Sequence, residues 1–398
     1  MSKKVLIMSA STGGGHNRAA RAIKEELESR TIDNMPIVCE IVDSLKLVNN
    51  TMDKVISRGY EKSAIYTPKA YGSVYRFSET NLASRNEFKG NPLTSLMARK
   101  FKHLLNDSNP DLIIGTHPFP MIALSTLKKH NNLSTLSLSE NFSRSSKVDV
   151  PPMISVLTDY TTHSTWIQNE IDYYIVGHEY VKELLVYEGV SSEKVKAFGI
   201  PVEKSFLDHR DKETVLTELG LSPDKLTVLL MGGSFGAGNI KETLGDLLTI
   251  DRDFQILVIT GRNEHLRDKL SKMLDSTIQD KNICLLGYTD KMNDILASID
   301  VLISKPGGLT TTEALLNDVP MIVPYFIPGQ EEENLDFLTN CGAALRTTKK
   351  YSLPVLLKVL IDDPSRLDML RKNIKSIIKF DSAVNISNLV VDILGSNK

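Results

Sequence analysis

The stretch VLIMSASTGGGHNRAARAIKEEL, Val5–Leu27, sets the fold class. Val5 to Ser9 is an apolar run that predicts a buried strand. Ser11 to Gly15 is a glycine-rich loop, and Ala19, Ala20, Ile23 and Leu27 then recur at the spacing of one helix face. A strand that is apolar at consecutive positions is covered on both faces, as in a parallel sheet. A second strand at Ile37–Val42 completes a βαβ unit, so the chain opens in a Rossmann-like manner.

The alternation continues through apolar runs at Leu112–Thr116, Ile154–Asp159 and Tyr173–Val176. At GIPVEKSF, Gly199–Phe206, glycine and proline interrupt the periodicity and mark a boundary. Strands recur beyond it at Thr227–Met231, Gln255–Ile259, Ile283–Leu286, Val301–Ser304 and Met321–Val323. The 398 residues therefore predict two doubly wound α/β domains, 1–202 and 203–380, facing a central cleft. A last helix within 381–398, near Ala383–Leu394, is expected to be able to pack back on the first domain. In such sheets ligands bind at the carboxyl ends of the strands, where the loops lie.

Composition excludes several classes. Lys and Arg number 47 against 49 Asp and Glu, which leaves no global excess for binding nucleic acid. Cys39, Cys284 and Cys341 lie far apart, so neither a disulfide framework nor a zinc site is indicated and a reducing cytoplasm is expected. The apolar run after Lys3 and Lys4 is about five residues, short of a secretory h-region, and no stretch nears the ~18 apolar residues of a spanning helix. Any meeting with a membrane is therefore expected from one side.

Four elements stand where ligand loops belong: Gly13-Gly14-Gly15-His16, Gly232–Gly238, Lys305–Thr310 and Pro328–Glu331. Glycine lets backbone N–H groups approach a phosphate, and a following helix adds its positive N-terminal end. The loops of the second domain point to a nucleotide diphosphate. Glu313, early in a helix expected at Thr311–Asn317, is placed to take ribose hydroxyls. Asn334 follows Gln330 by one helical turn and is expected on the same face, within reach of diphosphate or sugar.

His16 ends the first glycine loop. A neutral imidazole there can take the proton of an attacking hydroxyl, and its place at a helix start is expected to lower its pKa. Capping the helix or binding phosphate is the competing role. Asp159 and His163 follow a strand end, where Asp159 can orient His16 or the acceptor and His163 can contact diphosphate or acceptor. Trp166 lies on the same cleft segment, with a structural role favoured. No Asp-x-Asp element accompanies the nucleotide loops, so no metal is expected and backbone N–H groups are left to stabilise the leaving group.

The motifs TGGGH at Thr12–His16, TDYTTHSTW at Thr158–Trp166, GIPV at Gly199–Val202, GGSFGAG at Gly232–Gly238, KPGGLTTTEA at Lys305–Ala314 and PGQEEEN at Pro328–Asn334 occur in this order. The chain resembles the processive diacylglycerol glucosyltransferases and plant-type monogalactosyldiacylglycerol synthases, inverting transferases of the GT-B fold. The resemblance implies UDP in the second domain, with Glu313 on ribose and the two glycine turns on the diphosphate. Those turns contribute Gly233 and Ser234 and Gly307, Gly308, Leu309 and Thr310, with Gly15 in the first domain. Gly287 and Tyr288 resemble the uracil loop, and Gln330 and Glu331 fall on sugar hydroxyls. The Gln330-Glu331 pair departs from the paired glutamines of the related peptidoglycan N-acetylglucosaminyltransferase, which favours a plain hexose. Likeness to the bacterial-type enzymes favours glucose over galactose.

Residues 54–102 carry ten Lys and Arg against three Glu, interleaved with Tyr60, Tyr66, Tyr71, Tyr75, Phe77, Phe88 and Phe101. Basic residues attract anionic headgroups at about 1 kcal/mol each, and aromatic rings suit the interface, so this segment is expected to dock on an anionic membrane. The expected activity is transfer of a hexose from a UDP-sugar to diacylglycerol at the inner face of the cell membrane. The alternatives are an N-acetylglucosamine transferase acting on a polyprenyl-linked precursor and a UDP-sugar sensor without turnover.

Overall fold

In the computed structural model the run after Ser2 forms strand β1 (Lys3–Ser9), and the glycine loop hands over to a helix at Gly15–Glu28. The structure describes residues 2–11, 14–48, 92–134, 148–232, 238–276 and 281–396. The chain divides into two compact units, residues 1–203 with 381–398 and residues 204–380.

Among the described residues the first unit has a seven-stranded sheet in the order β2-β3-β1-β4-β5-β6-β7. Its further strands are β2 (Thr31–Ile32), β3 (Met35–Asp43), β4 (Leu112–Gly115), β5 (Met153–Val156), β6 (Tyr173–Ile175) and β7 (Val195–Lys196). All pairings are parallel except β2 with β3. That hairpin turns on Asp33 and Asn34, both at positive φ (51° and 64°), the geometry of a tight two-residue turn.

The helix Gly15–Glu28 covers one face with Ala20, Ile23 and Leu27, which share a core with Val5, Ile7, Leu112, Ile154 and Ile175. The final helix, Ser382–Ser396, adds Ile386, Val390 and Leu394, spaced four apart, to that core. Burying each such aliphatic chain contributes about 1.5–3 kcal/mol as an upper estimate. Arg30 Nη1 donates to Asn388 Oδ1 at 2.7 Å and Ser382 Oγ to the Gly199 carbonyl at 2.7 Å, which tie the helix at its first residue and at its middle.

Among the described residues the second unit has a six-stranded parallel sheet in the order β10-β9-β8-β11-β12-β13. Its strands are β8 (Thr227–Met231), β9 (Gln255–Ile259), β10 (Ile283–Leu286), β11 (Val301–Ile303), β12 (Met321–Val323) and β13 (Ala344–Arg346). Val228, Leu230, Ile256, Val258 and Ile303 pack against Leu244, Leu247 and Leu357 of the flanking helices.

Two local expectations shift. The strand expected at Ile154–Asp159 ends at Val156, which leaves Thr158 and Asp159 in the loop beyond it. The helix expected from Thr311 begins at Gly308, because Gly307 serves as its N-cap instead of interrupting it.

Candidate active site

Each sheet reverses its strand order once, and at such a point two neighbouring loops diverge to leave a crevice. In the first sheet the reversal lies between β1 and β4. The loop after β1 leads through Gly14, at φ 75°, into Gly15 and His16 in the first turn of the helix. The loop after β4 carries Thr116 and His117.

His16 Nδ1 lies 2.7 Å from the Thr116 carbonyl oxygen and 2.9 Å from Thr158 Oγ1. A carbonyl can only accept, so Nδ1 carries the proton and the lone pair is on Nε2. Among the described residues no hydrogen bond engages Nε2. Thr116 Oγ1 donates to the His16 carbonyl at 3.1 Å and its N–H to Met8 at 3.0 Å, so the residue that orients the ring is itself fixed to β1. Asp159 acts on His16 through its charge.

The pKa of His16 is held below the ordinary 6.5, chiefly by burial, against the raising influence of Asp159 and of the Thr116 carbonyl. The helix start was expected to be the cause; desolvation takes that place. The result is a neutral imidazole with an acidic neighbour that favours the imidazolium once a proton arrives.

Sequence reasoning missed His117. Its ring meets His16 edge-on at 4.6 Å, with 74° between the planes. Nδ1 accepts the Phe119 N–H at 3.2 Å, so the proton sits on Nε2. Burial first, and His16 second, push its pKa well below the usual value. The signal was a His-Pro pair directly after a strand end.

His163 and Trp166 belong to the loop after β5. His163 Nδ1 accepts the Thr165 N–H at 3.2 Å and caps the single turn Ser164–Trp166, and Trp166 is buried in that turn. Both shape the segment that presents Asp159.

In the second sheet the reversal lies between β8 and β11. Gly233 and Ser234 of the loop after β8 lie outside the described residues. Gly238 ends that loop at φ 106°, where a Cβ would sit 2.0 Å from the Tyr325 ring, so only glycine fits. After β11 the helix Gly308–Leu316 opens with no side-chain cap, and its first internal bond is Thr311 N–H to the Gly307 carbonyl at 2.8 Å. The N–H groups of Gly308, Leu309 and Thr310 therefore precede the helical ladder, an arrangement suited to an anion. Glu313, one turn further on, is 2% exposed.

Lys305, the first residue of the expected ligand loop Lys305–Thr310, pairs with Glu331 Oε1. Glu331 Oε2 accepts the Ile327 N–H at 2.9 Å, so the carboxylate expected on sugar hydroxyls is engaged with the protein at both oxygens. One helical turn beyond Gln330 stands Asn334. It is fully buried and its Nδ2 donates to the Pro306 carbonyl at 2.9 Å, because the helix Gln330–Asn340 turns this position inward. It braces the turn between Lys305 and Gly307. Gln330, by contrast, stays partly exposed at the first position of that helix.

Gly287 and Tyr288 follow β10 at the sheet's edge. Tyr288 is 61% exposed, and the Arg262 guanidinium lies 4.9 Å from its ring centroid. Among the described residues no group of three or more His, Cys, Asp or Glu is arranged to hold a metal ion. Of the basic segment 54–102, residues 54–91 lie outside the described residues, and Phe101, expected at a membrane interface, is fully buried in the core.

Residues 16–202 match the family model for monogalactosyldiacylglycerol (MGDG) synthase, and residues 227–376 match the glycosyltransferase family 28 C-terminal domain. A processive diacylglycerol beta-glucosyltransferase of Bacillus licheniformis is 30% identical over 388 residues, 94% of this chain and 91% of that protein. The chain belongs to the processive diacylglycerol beta-glucosyltransferase family. It is accordingly a glycosyltransferase. MurG of Acinetobacter baumannii superposes with a TM-score of 0.64 at 14% identity, covering 98% of this chain and 99% of that one. A UDP-GlcNAc 2-epimerase from Neisseria meningitidis gives 0.59 at 14% identity over 99% and 100% of the two chains. These likenesses establish the GT-B fold of this diacylglycerol glucosyltransferase family member. No helix among the described residues is long and apolar enough to cross a membrane.

Proposed function

We propose that the protein transfers glucose from UDP-glucose to the hydroxyl of diacylglycerol, with inversion, and can extend the glycolipid product in the same way. The observation that carries this reading is His16, whose Nδ1 proton is committed to the Thr116 carbonyl at 2.7 Å and whose Nε2 is left as a base. The lipid hydroxyl oxygen attacks the anomeric carbon while its proton passes to Nε2. The bond from that carbon to the UDP oxygen breaks, and its electron pair leaves with UDP. Asp159 stabilises the imidazolium that results. Single displacement on an α-linked donor gives the β-glycoside, in keeping with the name of the Bacillus licheniformis relative, a beta-glucosyltransferase.

The donor belongs to the second unit. Its diphosphate lies against the N–H groups of Gly308, Leu309 and Thr310 together with the loop of Gly233 and Ser234. Glu313 takes the ribose, the Gly287-Tyr288 loop takes uracil, and Gln330 takes sugar hydroxyls. Backbone N–H groups stabilise the leaving charge without a metal. The protein works at the inner face of the cell membrane, held peripherally through the basic segment 54–102, and has no nucleic-acid partner.

The test is transfer from radiolabelled UDP-glucose, UDP-galactose and UDP-N-acetylglucosamine, each offered with diacylglycerol in anionic liposomes. Labelled glucosyl-diacylglycerol from UDP-glucose alone is the expected product. Transfer from another donor replaces the sugar assignment, and measurable UDP binding without product overturns the acceptor.

A further inference from the structure

We propose that Lys305 is the cation that receives the donor's diphosphate, and that Glu331 holds this ammonium group in reserve until the nucleotide takes its place. The inference rests on the reading of the second unit as the donor site. Lys305 follows β11 at the sheet's reversal point, two residues before the N-cap Gly307. A Cβ on Gly307 would stand 3.9 Å from both Lys305 Nζ and Glu331 Oε1, so the ion pair lies directly over the glycine that opens the helix. The turn is held from behind by Asn334 on the Pro306 carbonyl.

The side chains of the pair are 20% and 12% exposed, so the charges have little water to compensate them. A pair at this depth gains from its partner but carries a desolvation cost, and it is a weak device for stability alone. It suits exchange. Glu331 retains the Ile327 N–H at 2.9 Å when Lys305 turns away, and so is not left bare. Lys305 meanwhile gains a more highly charged partner. The charge that grows on UDP as the glycosidic bond breaks is then met by a fixed ammonium group beside the helix N–H groups. Glu331 thereby becomes a positioning residue for Lys305.

The experiment compares UDP with uridine by titration calorimetry on the full chain, using K305Q, K305R, E331Q and the double variant K305Q/E331Q. The expected result is a loss of tenfold or more in UDP affinity for K305Q and for the double variant, with uridine affinity unchanged in both. K305R should lose less, and E331Q should bind UDP as well as or better than the parent. Recovery of UDP binding in the double variant would show that the unpaired carboxylate, and not the missing ammonium group, was responsible, and would overturn the proposal. A parallel loss of uridine and UDP, or no loss in K305Q, would overturn it equally. If the unaltered protein bound neither UDP nor uridine, the donor-site reading itself would fall, an outcome separate from all of these.

Discussion

The two reversal points are built from the same topology and opposite chemistry. Between β1 and β4 the crevice is lined by side chains with defined protons: His16 on the Thr116 carbonyl, Thr158 at 2.9 Å from the same nitrogen, and His117 edge-on at 4.6 Å. Between β8 and β11 the described residues offer glycines, the unladdered N–H groups at the start of a helix, and a lysine held by a carboxylate. A proton acceptor must have one tautomer and one direction, which side-chain hydrogen bonds supply. An anion is held by many weak donors at once, which backbone supplies best when no Cβ intervenes. The same strand-loop-helix unit thus presents an oriented imidazole in one domain and the backbone N–H groups of a glycine turn in the other.

The most severe way to break this contrast is His16→Ala. General-base catalysis contributes about 10²- to 10⁴-fold, so transfer is expected to fall within that range while UDP affinity stays near that of the parent. Rates from radiolabelled donor, set beside UDP titration, measure both. A fall in UDP affinity matching the fall in rate would mean that the first crevice also binds the anion, and the division of labour would be lost.

Much of the fold was legible because the strands are consecutive aliphatic runs, as in Val5–Ser9 and Thr227–Met231, and glycine marks the loops that follow. The two-residue strands β2 and β7 were not legible, since so short a run carries no periodicity and exists only because its neighbour pairs with it. His16 was legible from the glycines before it. His117 was not, because a histidine after a strand can also serve as a helix cap, and only β4 packing beside β1 brings it to His16. Lys305 and Glu331 are 26 residues apart and meet through tertiary packing. For Asn334, helical spacing related it to Gln330 but could not reveal that its side chain turns inward.

A milder change sharpens the first crevice. Asp159 raises the pKa of His16 against the lowering due to burial. Asp159→Asn removes the raising influence, so the acidic limb of the kcat/KM profile is expected to move to lower pH. The plateau rate should fall by about tenfold, equivalent to about 1.4 kcal/mol of lost imidazolium stabilisation. Profiles of parent and variant against pH decide the matter. An acidic limb that stays in place while the plateau falls would mean that Asp159 positions the acceptor instead of the base.

The smallest effect concerns stability, and it again separates the two crevices. His117 is buried and neutral in the folded chain, with its pKa well below the 6.5 of a free histidine. Below about pH 6.5 the unfolded chain therefore binds a proton that the folded one refuses, and stability falls as pH falls through that window. One such site gives a slope of up to about 1.4 kcal/mol per pH unit. His117→Asn keeps an oxygen to accept the Phe119 N–H but cannot titrate, so the acid sensitivity of the first unit should weaken by about that slope. Chemical unfolding between pH 7 and pH 5, followed by hydrogen exchange so that the two units are read separately, provides the measurement. The second unit's transition should show no difference between parent and variant. An unchanged slope in the first unit would mean that His117 takes up its proton while folded, and the crevice would then hold an imidazolium beside His16.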